Sequence, residues 1–152
     1  MHAAAATPGS ENLGADDLAL IDAARAVVRA HYRYGAHTVG AALRTAAGQV
    51  FAAVNLDATV GRLAVCAEPV ALGHAVLANQ GRAITTVVAV RHPRPAHAHE
   101  AVSDEAIGVV PPCGGCRDLL FDHAPDAMVI VPGLAGPVRV ALRELLPLPY
   151  RR

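Results

Sequence analysis

The order of elements legible in the chain predicts a three-layer α/β domain, one mixed sheet of five strands with helices on both faces. Three observations carry that expectation. "AITTVVAV" (83–90) is a continuous apolar, β-branched run, as a strand covered on both faces requires. "DDLALIDAARAVVRAHYRY" spaces its apolar residues at helical intervals. The sequence α-β-β-α-β-α-β-β then alternates the two kinds of element rather than grouping them. With 152 residues, 53% of them hydrophobic, the chain is long and apolar enough for one such domain.

Residues 1–14, rich in Ala, Gly, Pro and Ser, read as a flexible tail before a single domain over 15–152. The first helix takes Asp16 or Asp17 as its N-cap and puts Leu18, Ile21, Val28 and His31 or Tyr32 on one face. A hairpin follows: Val39–Thr45, a turn at Ala47-Gly48, and Gln49–Asn55. "ATVGR" is a loop. A second helix runs from Cys66 to Asn79, with Gly81 where a left-handed closing residue is common. After the buried strand, two prolines, three histidines and several charges mark 91–105 as an exposed loop. "AIGVV" returns briefly to strand, "CGGCRDLLFDHA" forms a third helix and "DAMVIV" a central strand. "PVRVAL" is an edge strand and "RELLPLPYRR" a short helical turn with its tail.

Composition excludes several functions. A formal net charge of zero and only five aromatics (Tyr32, Tyr34, Phe51, Phe121, Tyr150) leave little for gripping a nucleic-acid polymer. No apolar stretch reaches the ~18 residues of a membrane span, and the start lacks the basic and apolar regions of a signal peptide. Three cysteines make a poor disulfide framework and suit a reducing cytoplasm, where clustered thiols bind metal or catalyse.

Cys66, Cys113 and Cys116 each fall at the start of an expected helix, where free N–H groups and the helix dipole favour thiolate. Three thiolates fill three of zinc's four tetrahedral positions; with no fourth cysteine, water takes the open one, as in a catalytic site. Glu68, two residues after the first ligand, is placed to take a proton from zinc-bound water and pass it to a leaving group. "CAE" at 66–68 with "PCGGC" at 112–116 resembles the known signature of zinc nucleobase deaminases. Arg117, beside the third ligand, would offset the net negative charge of zinc with three thiolates.

Other readings of the same residues stay open at this level. "CGGC" at a helix start also suits a thioredoxin-like redox pair. A closed structural zinc would need His74 or His123 as fourth ligand. His97 and His99 read as solvated loop histidines rather than ligands, and for Arg117 the alternative to charge compensation is a surface arginine on a helix.

From about Asp16 to Arg152 the chain resembles the cytidine deaminase family of three-cysteine zinc enzymes, and within it the bacterial blasticidin S deaminase branch. The stretches that carry this are "HTVGAALRT", "VGRLAVCAE", "TTVVAVRHP", "PCGGCRDLL" and "RELLPLPYRR". The resemblance implies a cytidine-deaminase-like fold, one zinc per chain, and hydrolytic deamination of cytidine or deoxycytidine to the uracil nucleoside and ammonia. It implies a homotetramer with active sites at subunit boundaries. The alternatives are a cytosine-containing antibiotic such as blasticidin S as substrate, or a non-catalytic zinc-stabilised binding domain.

The family's Asn-x-Glu pair that holds the ribose hydroxyls corresponds here to Asn55, eleven residues before Cys66, and Asp57. By the same resemblance the Ala67 backbone and Glu68 read the pyrimidine's amide edge. Tyr150 covers the base, in some members from a neighbouring subunit. Two positions depart from the cytidine deaminases proper: Pro69 stands where Arg is usual after "CAE", and His37-Thr38 where a Phe-Pro lines the base pocket. Both differences resemble the blasticidin branch, whereas Asn55 favours ordinary nucleosides.

Overall fold

The computed structural model describes residues 12–95 and 101–150. Elements run α1 (Ala15–His31), β1 (Val39–Thr45), β2 (Val50–Val54), α2 (Ala67–Leu77), β3 (Ile84–Arg91), β4 (Gly108–Val110), α3 (Gly114–His123), β5 (Met128–Pro132), β6 (Pro137–Ala141) and α4 (Leu142–Leu145). Strand order is β2-β1-β3-β5-β6, with β4 also paired to β3. The sheet therefore has six strands, not the expected five. The added strand is the "AIGVV" segment, which the sequence marks as a brief return to strand but which has no place among the five; Gly108–Val110 pairs with Ala89–Arg91 antiparallel. One edge of β3 is shared, since β5 pairs in parallel with Thr86–Val88 and β4 takes the remaining half.

Helices cover both faces. On one, Leu20, Ile21, Ala24 and Val28 of α1 pack on Ala42, Val88, Val90 and Ile130. On the other, Ala71, Leu72 and Ala75 of α2 and Leu120 of α3 pack on Leu43, Val87, Val129 and Val140. The neighbours Val129 and Ile130 belong to opposite cores, as strand alternation demands. The three-layer expectation holds.

The face of α1 was read in part: Ile21 and Val28 are buried as expected. Leu18 is 54% exposed, and the buried stripe uses Leu20 and Ala24 instead. The reason lies opposite, at Gly40 of β1, where an added Cβ would stand 2.3 Å from the Ala24 carbonyl oxygen. Only a small residue on each element permits that approach. The N-cap is Gly14 rather than an aspartate; Asp17 sits in the first turn and accepts the Gly14 N–H at 3.1 Å. Its carboxylate is buried and also meets Arg44 of β1 at 2.9 Å and Arg139 of β6 at 3.4 Å. One acid thus ties helix, central sheet and edge strand together.

Helix α2 ends on Asn79, with φ of 59°, and not on Gly81. Asparagine tolerates the left-handed conformation, and the Gln80 N–H then returns to the Ala75 carbonyl at 2.7 Å. Gly81 answers a different need, since a Cβ there would lie 2.7 Å from Val76 Cγ2. The segment after β3 is exposed only in part. His92 is buried and stacks on Tyr32 at 3.9 Å, while Arg94 lies over the Tyr34 ring at 4.4 Å. His97, His99 and most of the expected N-terminal tail lie outside the described residues. No helix among the described residues is long and apolar enough to cross a membrane.

Candidate active site

Two helix starts meet at one end of the sheet. Cys66 is the N-cap of α2 and Cys113 the N-cap of α3, both with extended backbone; Cys116 lies in the first turn of α3. The three sulfurs fall within 4.8 Å of one another, and Cys66 and Cys113 are 3.7 Å apart. A tetrahedral zinc with Zn–S bonds of ~2.3 Å holds its sulfurs roughly 3.8 Å apart, so the spacing fits the metal. Cys113 Sγ also accepts the Cys116 N–H at 3.4 Å, which fixes the turn between them.

Glu68 lies in the first turn of α2 and is buried, 4% exposed. Pro69 follows at the third helical position, where a missing N–H loses no intrahelical bond. Burial pushes the Glu68 carboxyl up from its ordinary range, against hydrogen bonds from its own backbone and from Cys116. Burial raises the Cys66 and Cys116 thiols as well, and the Glu68 charge adds to both. Cys113 moves down: burial opposes this, but the Cys116 N–H and the neighbouring thiols donate to its sulfur. A carboxyl and two thiols that resist ionisation around a third sulfur describe a site short of positive charge. A divalent cation supplies it.

No histidine joins the sulfur cluster among the described residues. His74 is on the exposed side of α2 and His123 is exposed at the end of α3, so neither closes a four-ligand structural site. The third cysteine in the cluster likewise does not suit a simple CGGC redox pair.

Beside the sulfurs opens a cavity of about 270 Å³, walled by Val39, Leu56, Val65, Val110 and Pro111, with Glu68, Cys66, Cys113 and Asn55 as its polar groups. Asn55 is braced: its Oδ1 accepts the N–H groups of Thr38 and Val39 at 2.8 and 2.9 Å, and its Nδ2 donates to the Ala36 carbonyl at 3.1 Å. His37 Nδ1 stands 2.7 Å from the Asn55 carbonyl and does not reach the cavity wall. Asp57 is exposed, and its Oδ1 accepts the Ala58 N–H at 2.8 Å, away from the cavity. Ala67, the first residue of α2, is fully buried. Arg117 donates from Nε to the Pro112 carbonyl and from Nη1 to the Leu145 carbonyl, at 2.9 and 3.1 Å. It clamps the loop that delivers Cys113 onto the end of α4. Tyr150 is 82% exposed and borders a different hollow, with Phe121 and His123.

The apolar walls escaped the sequence reading because valines and prolines carry no chemical signature. Their only signal was adjacency: Val65 precedes Cys66, and Pro111 stands two before Cys113.

The model of the cytidine and deoxycytidylate deaminase zinc-binding region matches residues 15–131. A Bacillus cereus blasticidin-S deaminase is 41% identical over 141 residues, covering 93% of this chain and 96% of that protein. A cytidine deaminase of Halalkalibacterium halodurans is 33% identical over 120 residues, 78% of this chain and 80% of that one. In structure, the cytidine deaminase of Burkholderia pseudomallei superposes with a TM-score of 0.68 at 29% identity, over 88% of this chain and 98% of that chain. A fold with three clustered sulfurs and a buried acid at two helix starts is that of a zinc-dependent deaminase. The chain belongs to the cytidine deaminase family.

Proposed function

We propose that the protein hydrolytically deaminates a cytosine nucleoside, and that a nucleoside of the blasticidin S type is preferred to cytidine or deoxycytidine. The observation that carries the chemistry is buried Glu68 beside three convergent sulfurs at the head of an apolar cleft. Two findings support the order of substrates, which reverses the one that the first resemblance suggests. The blasticidin-S deaminase is the more similar of the two relatives and is covered nearly end to end. The expected ribose readers are also engaged elsewhere: Asn55, though it borders the cavity, has its oxygen and one N–H bonded to backbone groups, and Asp57 is exposed and accepts the Ala58 N–H.

In this reading zinc on Cys66, Cys113 and Cys116 supplies Lewis acidity and an activated water. The apolar walls exclude bulk water from a planar base. The first-turn N–H of Ala67, without an intrahelical partner, and the Glu68 carboxyl orient the pyrimidine edge. Glu68, whose burial makes it hold a proton more readily, takes one during attack and returns one to the departing amine. The C–N bond breaks, a carbonyl forms at that carbon, and ammonia leaves. Arg117 acts as a positioning residue for Cys113 and moderates the charge of the thiolate cluster. The assembly is a homotetramer in the reducing cytoplasm, with Tyr150 covering a neighbour's base and no nucleic-acid polymer as partner.

Ammonia release by the zinc-loaded full chain, compared across blasticidin S, cytidine, deoxycytidine and cytosine, tests this. The highest kcat/KM is expected for blasticidin S. A higher value for cytidine reverses the substrate order, and no release from any of the four removes the enzymatic reading.

A further inference from the structure

Arg91 ends β3 directly opposite Val39 of β1 and Gly108 of β4. Alternation decides which way it faces. Gly40 packs against α1, so Val39 and Ala41 face the other way. There they cluster with Ala67, Ala89 and Val110, and Val39 and Val110 form cavity wall. Arg91, two residues beyond Ala89 and cross-strand from Val39, shares that face, with Cβ atoms of such pairs ~5 Å apart. Its other neighbour, Gly108, offers no side chain, and a Cβ there would meet nothing within 4 Å.

Among the described residues nothing holds this guanidinium. Arg44 and Arg139 are paired with Asp17, Arg117 with two carbonyls, and Arg94 with Tyr34. Arg91 is exposed and makes no side-chain hydrogen bond or ion pair among the described residues. Five donors in a rigid fork suit the paired oxygens of a carboxylate or phosphate, and the cavity walls carry no cation of their own.

We infer that Arg91 is a specificity-determining residue that binds an anionic oxygen group carried by the sugar side of the substrate. The inference rests on the cavity being the nucleoside site. The base occupies the cleft by Glu68, and the sugar substituent extends past Val39 into the open space beside Gly108, where the guanidinium meets it.

Three cytosine compounds that differ only at the sugar serve as probes: cytidine, its 5′-monophosphate and its 5′-carboxylic acid. Dissociation constants by calorimetry and kcat/KM are measured on the zinc-loaded full chain. The parent is expected to favour at least one anionic probe over cytidine, through binding. Arg91→Ala lowers that preference ratio by about 10-fold or more, the scale of a charge-assisted hydrogen bond, and Arg91→Lys lowers it less. Arg82→Ala, in the turn that precedes β3, keeps the parent's ratio. Whether phosphate or carboxylate gains more identifies the group. A parent ratio at or below one for both anions, or a ratio that Arg91→Ala leaves unchanged, overturns the inference. Because binding is read apart from turnover, preferential binding without ammonia release retains Arg91 and removes the deaminase reading instead.

Discussion

Glu68 and Cys113 sit on neighbouring helix starts and fail differently when changed. Glu68→Gln keeps size and shape but cannot move a proton. Activity is expected to fall by at least the ~10²–10⁴ of a general acid–base group, with zinc content and melting temperature close to the parent's. Normal turnover by the variant, measured as ammonia release, would remove Glu68 from the reaction. Cys113→Ala is expected to lose zinc and, with it, stability, because the metal binds the folded chain and not the unfolded one; elemental analysis and thermal unfolding check both. These residues were legible in the sequence because their chemistry is rare: a thiolate ligand or buried acid has few substitutes. The sugar side was less legible. An asparagine reads alike whether it meets a ligand or braces a backbone turn, and the bracing by Asn55 shows only in its contacts with Thr38, Val39 and Ala36.

Among the elements, the long runs were read well and their faces less so. "AITTVVAV" predicted a strand buried on both faces, and β3 is that strand. For α1 the pattern counted large residues, whereas the packing is set by how near a helix can come to Gly40. Close approach rewards alanine over leucine, and hydropathy does not record it. Gly40→Ala is therefore expected to cost roughly 1–3 kcal/mol, as overpacking does, read from denaturant midpoints; a neutral result would mean that α1 can shift. Asp17 offers a test through pH. Burial works against its charge, but Arg44, the Gly14 N–H and Arg139 prevail and hold its carboxyl below the usual 3.8. A depressed folded pKa gives stability that is present above the unfolded value and is lost as pH falls through the folded one. Asp17→Asn should cost about 3 kcal/mol near neutrality, as for a broken buried pair, and the gap to the parent should narrow below about pH 4. Asp17 is no part of the sulfur cluster, so any acid release of metal would be common to both proteins and the difference between their melting curves isolates Asp17. A gap constant from pH 7 to 3 would assign the loss to packing rather than charge.

At the scale of the whole molecule, the surface beside the site is more apolar than a lone chain needs. Between the paired Leu56 and Val65, a loop presents Val60 at 51% and Leu63 at 64% exposure. Leu56 and Val65 are themselves cavity wall. The outward side of α2 adds Val76 and Leu77 with no formal charge. Apolar side chains exposed beside a ligand cavity, with Asp57 and Arg62 as the exposed charges of the loop, are the kind of surface that association covers. In the proposed assembly Tyr150, exposed and bordering a hollow other than its own sulfur-side cavity, would find its target in a second copy. Light scattering is expected to give a mass near four chains. Leu63→Asp places a charge in the covered surface without touching a sulfur or Glu68. It should lower the assembled mass and raise KM together, while zinc content stays at one per chain. Tyr150→Ala should raise KM with the assembly intact, since it removes the cover and leaves the contact. A monomeric parent with full activity would contradict the shared site. An assembled Leu63→Asp would place the interface elsewhere and leave this loop to shape the cavity alone.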